Sequence, residues 1–154
     1  MAVPQKDKIL VAVQILLLLV WIIPVEAWNF ELSENLQGLG LGGAVVGFVL
    51  VLIAFFQMNT SLSPFPSPRK SAKLVTSGVF AFARHPIYSG VIFMALGLSV
   101  WFGSGYKLVI SLLFYIFFYL KSRYEEKLLL KVFPEYAMYR RNTGRFFPKF
   151  KGRI

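Results

Sequence analysis

The sequence predicts an all-α fold, a polytopic transmembrane helical bundle of about four spans with a cytoplasmic helical extension at the C-terminus. Three observations carry this. Hydrophobic residues make up 56% of the 154-residue chain and mean hydropathy is +0.62, more apolar side chain than a soluble domain of this length can hide, so lipid must cover much of it. Four apolar segments reach or approach the ~20 residues that a spanning helix needs. The basic residues gather in the segments that flank those runs, which is the distribution of a protein held against anionic headgroups.

The first apolar run covers about 9–25. Lys6 and Lys8 precede it as they would in a signal peptide, but Trp21, Pro24, Glu26 and Trp28 stand where small residues would mark a cleavage site, so a retained helix is expected. The second run, about 39–58, is glycine-rich, and Gly43 with Gly47 forms a small-xxx-small pair suited to close helix packing. The third covers about 86–102 and the fourth about 106–120. Only Gly103, Ser104 and Gly105 join these last two, so they must be antiparallel neighbours. No internal repeat is evident, and the whole chain, 1–154, reads as one integral membrane domain.

Orientation follows from charge. The connection after the first run carries Glu26, Glu31 and Glu34 and no lysine or arginine, whereas the connection after the second carries Arg69, Lys70, Lys73 and Arg84. The tail beyond Leu120 is richer still, from Lys121 and Arg123 through Arg140, Arg141 and Arg145 to Lys151 and Arg153. The positive-inside bias therefore places both termini and the second loop in the cytoplasm. A prokaryotic inner membrane is favoured over the endoplasmic reticulum because the chain is so short.

Composition also excludes chemistry. There is no cysteine and a single histidine, which leaves no disulfide, no thiolate and no multi-histidine metal centre. The net charge of +10 belongs to loops and tail beside apolar runs rather than to a soluble face, so membrane lipids rather than nucleic acid are the expected partner. No ionisable residue lies deep within the predicted spans, which argues against transport.

Polar residues cluster in two places. The segment Leu74-Val75-Thr76-Ser77-Gly78-Val79-Phe80 runs on through Arg84-His85-Pro86-Ile87-Tyr88 into the third helix. Proline suits the first helical turn and pushes His85 towards an extended conformation, so the helix begins at Pro86 or Ile87. Free backbone N–H groups and the positive end of the helix dipole then lie at the membrane surface, a place for a carboxylate or phosphate. The plainer reading is that Arg84 and His85 anchor the helix among headgroups. Ahead of this segment, residues 59–68 alternate serine and proline and cannot be helical, serving as a linker or as the wall of a site. The second cluster, Glu125 and Glu126, falls where the fourth helix continues into the cytoplasm. Its plain reading is salt bridging along one helix face, Lys121 with Glu125 and Arg123 with Glu126. Beyond it, Phe133-Pro134-Glu135-Tyr136 opens a short segment with Tyr139, Arg140 and Arg141, and Gly144-Arg145-Phe146-Phe147-Pro148 reads as an amphipathic, interfacial close.

On these two blocks the sequence resembles the membrane methyltransferases that include the isoprenylcysteine carboxyl methyltransferases and, more distantly, the phosphatidylethanolamine N-methyltransferases. The resemblance covers roughly the C-terminal half and implies that S-adenosylmethionine is the cofactor, held within about 59–90 and 121–148. It implies contacts from Lys73, Leu74, Val75, Phe80, His85, Pro86, Ile87, Tyr88 and Glu125, with Glu126 beside them, and no metal. Phe80 stands where the carboxyl methyltransferases usually have tyrosine, and Pro134 replaces a common glycine. The methyl acceptor would be lipophilic or amphipathic, oriented by a cation such as Lys121 or Arg123 if it is a carboxylate. Two rival readings are an intramembrane reductase of the sterol-reductase type using NADPH, and a non-catalytic scaffold whose basic tail holds lipid.

Overall fold

The computed structural model describes residues 3–26, 28–58, 63, 65–68 and 73–149. Among these the chain is all helical: α1 (Gln5–Ile22), α2 (Glu34–Met58), α3 (Val79–Phe82), α4 (Pro86–Trp101), α5 (Gly105–Val132) and α6 (Tyr136–Asn142). Strand pairing is limited to two isolated bridges, Asn29 with Ser104 and Ala83 with Gly144. Helices α2 and α5 are each long and apolar enough to cross a membrane. Outward-facing Leu16 and Leu19 on α1, Leu39, Val46 and Phe56 on α2 and Leu112 and Ile116 on α5 are all more than half exposed, an apolar surface far larger than a soluble monomer tolerates.

Helix α4 begins at Pro86, as its sequence predicts, because proline at the first helical position surrenders an N–H that the helix leaves unbonded anyway. It is the enclosed element. Pro86, Ser89, Gly90, Ile92, Ala95, Gly97 and Ser99 are buried between α2 on one side and α5 on the other. The α2–α4 contact is backbone to backbone. A Cβ on Gly47 would lie 2.5 Å from the Gly90 carbonyl oxygen, one on Gly90 would lie 2.6 Å from that of Gly47, and one on Gly40 would lie 2.8 Å from that of Gly97. The packing stripe is thus Gly40, Ala44, Gly47 and Ala54, all buried. This corrects the expected Gly43–Gly47 pair: Gly43 has nothing within 4 Å of a built Cβ, because the rotation of α2 against α4 centres the seam on the face that carries Gly40, Ala44 and Gly47 and leaves Gly43 beside it.

Helix α1 packs on α5. At the far end, Lys107 Nζ donates to the Trp21 carbonyl at 2.8 Å, Tyr106 donates to the Val20 carbonyl at 2.8 Å, and the Trp21 indole donates to Ser111 at 3.0 Å. The short turn between α4 and α5 is pinned by the loop after α1, where Phe30 N–H donates to Gly103 and Gly105 N–H to Trp28. Gly103 takes φ +58°, a conformation that suits glycine. Among the described residues the backbones of α1 and α2 do not pack closely on each other.

Helix α5 runs without a break from Gly105 past the expected apolar limit near Leu120 to Val132, and α6 follows. The last described segment docks on the start of α4 through one of its faces. Residues 144 and 145 pair with the start of α4, Arg84 N–H donating to Gly144 at 2.9 Å and His85 N–H to Arg145 at 3.0 Å, while Ser89 Oγ donates to Phe146 at 2.8 Å. Phe146 is consequently buried with Ile92, Phe114 and Phe118, and Phe147 is the exposed partner. Asn59–Leu62, Pro64, Arg69, Lys70, Lys151 and Arg153 lie outside the described residues.

Alanine in place of Gly47 should lower the midpoint of thermal unfolding in detergent, consistent with a cost of about 1–3 kcal/mol for overpacking against backbone. Alanine in place of Gly43 should leave the midpoint unchanged or raise it slightly, since helical alanine is favoured over glycine by roughly 0.5–1 kcal/mol.

Candidate functional site

A cavity of about 330 Å³ opens where α2, α4, α5 and α6 converge at the loop-rich end of the bundle. Its walls include Lys73, Leu74, Val75, Phe80, His85, Pro86, Ile87, Tyr88, Lys121 and Glu125, which are ten of the twelve residues that the sequence singles out. Gln14, Val51, Phe55, Met58, Ser63, Arg84, Leu129, Tyr136 and Tyr139 complete the lining.

The cavity is organised around its neighbour, Glu126. This residue is not in the lining but is buried behind it at 2% exposure. Arg84 donates through Nε and Nη2 to Oε1 at 3.0 and 2.9 Å, His85 Nε2 donates to the same oxygen at 3.2 Å, and Arg145 donates to Oε2 at 3.1 Å. Arg140, half exposed, stands 3.5 Å from Oε2. Burial favours the neutral acid, but the hydrogen bonds and charges of His85 and Arg84 overcome it and hold the carboxyl at about 2. Arg84 also donates to the Arg140 carbonyl at 3.0 Å and to the Thr143 carbonyl, so a single guanidinium ties the segment before α4 to α5, to α6 and to the residue that follows α6. These long-range pairs, rather than the Arg123–Glu126 bridge along the helix, explain Glu126. One turn of α5 carries Glu125 towards the cavity and Glu126 towards the arginines, because successive helical residues point about 100° apart.

Glu125 is the carboxylate that faces the cavity. Tyr88 donates to its Oε2 at 2.9 Å, and His85 Nδ1 stands 3.8 Å from the same atom. The His85 and Tyr88 rings stack at 5.3 Å, and Tyr88 stacks on Phe118 at 4.6 Å, so both polar rings are locked. Lys121 is 1% exposed, donates to Gln14 Oε1 at 2.5 Å and lies 5.5 Å over the Tyr88 ring. Arg123 is exposed and does not line the cavity. Two residues on from Lys121 it points to the opposite side of α5, beside the Tyr119 ring, so the structure does not bring it together with Lys121 at the cavity.

Local chemistry explains why the loop folds onto the cavity. Gly78, at φ +60°, starts α3, and Val79 N–H donates to Gln57 Oε1 at 3.1 Å, tying the loop to the end of α2. Tyr139 donates to the Phe80 carbonyl at 2.6 Å, and burial pushes its phenol up to about 12. Phe80 itself is buried in the wall. The sequence puts Tyr136 and Tyr139 in the block that carries the resemblance, within the expected cofactor region, without giving either a contact. Their three-residue spacing on a short helix was the available signal. Gln14 gave none, since an isolated glutamine in an apolar helix has no distinctive pattern. Among the described residues no group of three or more His, Cys, Asp or Glu side chains could hold a metal ion.

The described residues thus form an all-helical bundle with an apolar outer surface and a cavity, largely apolar in its lining, over the start of α4. The chain belongs to the phospholipid methyltransferase family, whose sequence model matches residues 36–136. It is 32% identical over 124 residues to the protein-S-isoprenylcysteine O-methyltransferase of Schizosaccharomyces pombe, covering 78% of this chain and 52% of that protein. It is 38% identical over 84 residues to the cobalt-zinc-cadmium resistance protein CzcN of Cupriavidus metallidurans, covering 54% of this chain and 39% of that protein. The chain thus spans between about two fifths and half the length of these relatives. Among solved structures it resembles a eukaryotic intramembrane Ras methyltransferase, isoprenylcysteine carboxyl methyltransferase, with a TM-score of 0.71 at 23% identity over the whole of this chain and 56% of the other. The all-helical fold is therefore shared with that enzyme.

Replacing Glu126 by Gln should lower unfolding free energy by about 3–5 kcal/mol, because Arg84 and Arg145 lose their buried counter-charge. Since the folded carboxyl ionises at about 2, below the ordinary value of 4.5, its stabilisation is complete above the ordinary value and is lost as pH falls from there through about 2. Thermal unfolding between pH 3 and 7 should show a decline on acidification that is shallower in the glutamine variant.

Proposed function

We propose that this protein is an S-adenosylmethionine-dependent methyltransferase acting on a lipophilic or amphipathic acceptor at the cytoplasmic membrane face. In this reading α1, α2, α4 and the first part of α5 are the four spans, both termini are cytoplasmic, and the whole chain is one domain. The observation that carries the proposal is the convergence of ten sequence-singled residues, from two blocks some 35 residues apart, on one cavity of a size suited to a cofactor and an acceptor head.

The residues present fit the cofactor. It would supply an activated methyl group, so no protein nucleophile is required and the protein's task is alignment and exclusion of water. The start of α4, with Pro86, Ile87 and Tyr88 in the wall, offers free N–H groups to a carboxylate. Glu125 accepts from an ammonium or counters a sulfonium, and the faces of Phe80 and Tyr88 suit a cation or an aromatic ring. Tyr88 and His85 orient Glu125 from behind, while Glu126 fixes His85.

Lys121, held by Gln14 in a cavity wall that also includes the apolar Val51, Phe55 and Met58, would orient a carboxylate acceptor. The apolar lining residues from α2 support arrival of the acceptor from within the bilayer. An isoprenylcysteine-like carboxylate has this combination of an apolar chain and an anionic head.

Calorimetry on detergent-purified protein should show saturable binding of S-adenosylhomocysteine, weakened about ten- to a hundredfold in His85→Ala by loss of a charge-assisted contact, and no binding of NADPH. Binding of NADPH instead would put the reductase reading first, and binding of neither would leave a scaffold. In the same assay Lys121→Met should retain cofactor affinity but lose methyl transfer to lipophilic carboxylates, whereas Arg123→Ala should retain both.

A further inference from the structure

One side chain in the cavity wall is not accounted for by the fold or by the reading above. Tyr136 opens α6, is 1% exposed and lines the cavity, yet its hydroxyl has no hydrogen-bond partner among the described residues. The contrast with Tyr139 is informative. The two rings stand edge to face at 5.7 Å, and Tyr139, one helical turn further on, spends its hydroxyl on the Phe80 carbonyl. A phenol removed from water without a partner destabilises the folded chain, so buried hydroxyls are nearly always satisfied. Phenylalanine would fill the same space without that cost.

The surroundings define what the hydroxyl can do. Burial, and then the charge of Glu126, push the phenol well above its ordinary range, so it remains protonated and can donate. Tyr139 is its ring neighbour and Phe80 and Leu129 share the wall; of the charges that reach it, Glu126 and Arg84 are paired with each other and Glu125 with Tyr88, whereas His85, Glu125 and the start of α4 are the groups matched to charged ligand atoms. A neutral donor beside rings fits a neutral acceptor on a flat ligand.

We infer that the Tyr136 hydroxyl is a further cofactor-binding group, donating a hydrogen bond to a ring nitrogen or ribose oxygen of the nucleoside half. This rests on the methyltransferase reading given above. The orphaned hydroxyl is then a preorganised contact whose cost in the empty protein is recovered when the nucleoside enters.

The test is Tyr136→Phe, with dissociation constants measured by calorimetry for S-adenosylhomocysteine, 5′-methylthioadenosine, which keeps the nucleoside, and methionine, which lacks it. The variant should bind the first two about 3- to 10-fold more weakly, as expected for one lost hydrogen bond, leave methionine unchanged, and unfold without ligand at the same or a higher temperature. Unchanged affinity for both nucleosides would overturn the inference, as would a lower unfolding temperature with unchanged affinity, the signature of a purely structural hydroxyl. Equal weakening for methionine would place the contact on the amino-acid half and would also overturn it. Absence of nucleoside binding in the unaltered protein would instead remove the methyltransferase reading itself. If the variant fails to fold, 3-fluorotyrosine at position 136 of the otherwise native chain gives a second readout. Its fluorine resonance should move with methylthioadenosine and stay fixed with methionine, and the reverse pattern, or no movement with either, would overturn the inference.

Discussion

The polar end of this molecule depends on one buried carboxylate. Glu126, removed from water and ionised, has to be surrounded by donors, because an unpaired buried charge costs more than the fold can spare. Meeting that requirement draws Arg84 and His85 from the segment before α4, and Arg145 from beyond α6, onto one face of α5. Three stretches that are distant in sequence are thereby fixed relative to one another, and the cavity is the space they leave. His85 is held by Glu126 on one nitrogen while its other nitrogen faces Glu125, so the wall inherits its geometry from the pair behind it.

At the apolar end, the comparable constraint is steric. Helix α4 can be enclosed only because glycines at 40, 47, 90 and 97 let two backbones meet without intervening side chains. Its first turn, which carries Pro86, Ile87 and Tyr88 into the cavity, is held by α2 on one side and by Phe146 and the α5 aromatics on the other. The two constraints are independent in chemistry but share one helix. Its N-terminal end is set by charge, its body by close contact, and the cavity sits where they join.

Adjacent glutamates show how much of the site could be read directly. Both Glu125 and Glu126 stood out as a pair, and the Arg84–Tyr88 block as another, yet nothing in their spacing indicated which carboxylate faces a ligand. That depends on how α5 is rotated against α4, a property of packing. Lys121 and Arg123 were equal as cations in the sequence and are separated by the same rotation, one enclosed with Gln14 and the other exposed. Tyr136 stood in the second block without a role, and Gln14 escaped notice, because a residue becomes part of a cavity through what lies across from it, and the partners of these two are tens of residues away.

By itself the sequence determined the all-helical class, the helix starting at Pro86, the tight antiparallel turn between α4 and α5, and the two blocks that meet at the cavity. These are local or compositional properties: hydrophobic length, a proline that cannot sit elsewhere in a helix, a three-residue connection, and side-chain types suited to a charged ligand. Tertiary structure alone decided that Gly40 and Ala44, not Gly43, continue the seam from Gly47, that the last segment docks on α4, and that Glu126 supports the site from behind while Glu125 enters it. Each of those outcomes is set by the rotation and approach of one helix against another, and the close contacts and buried charges that fix them exist only once distant parts of the chain have met.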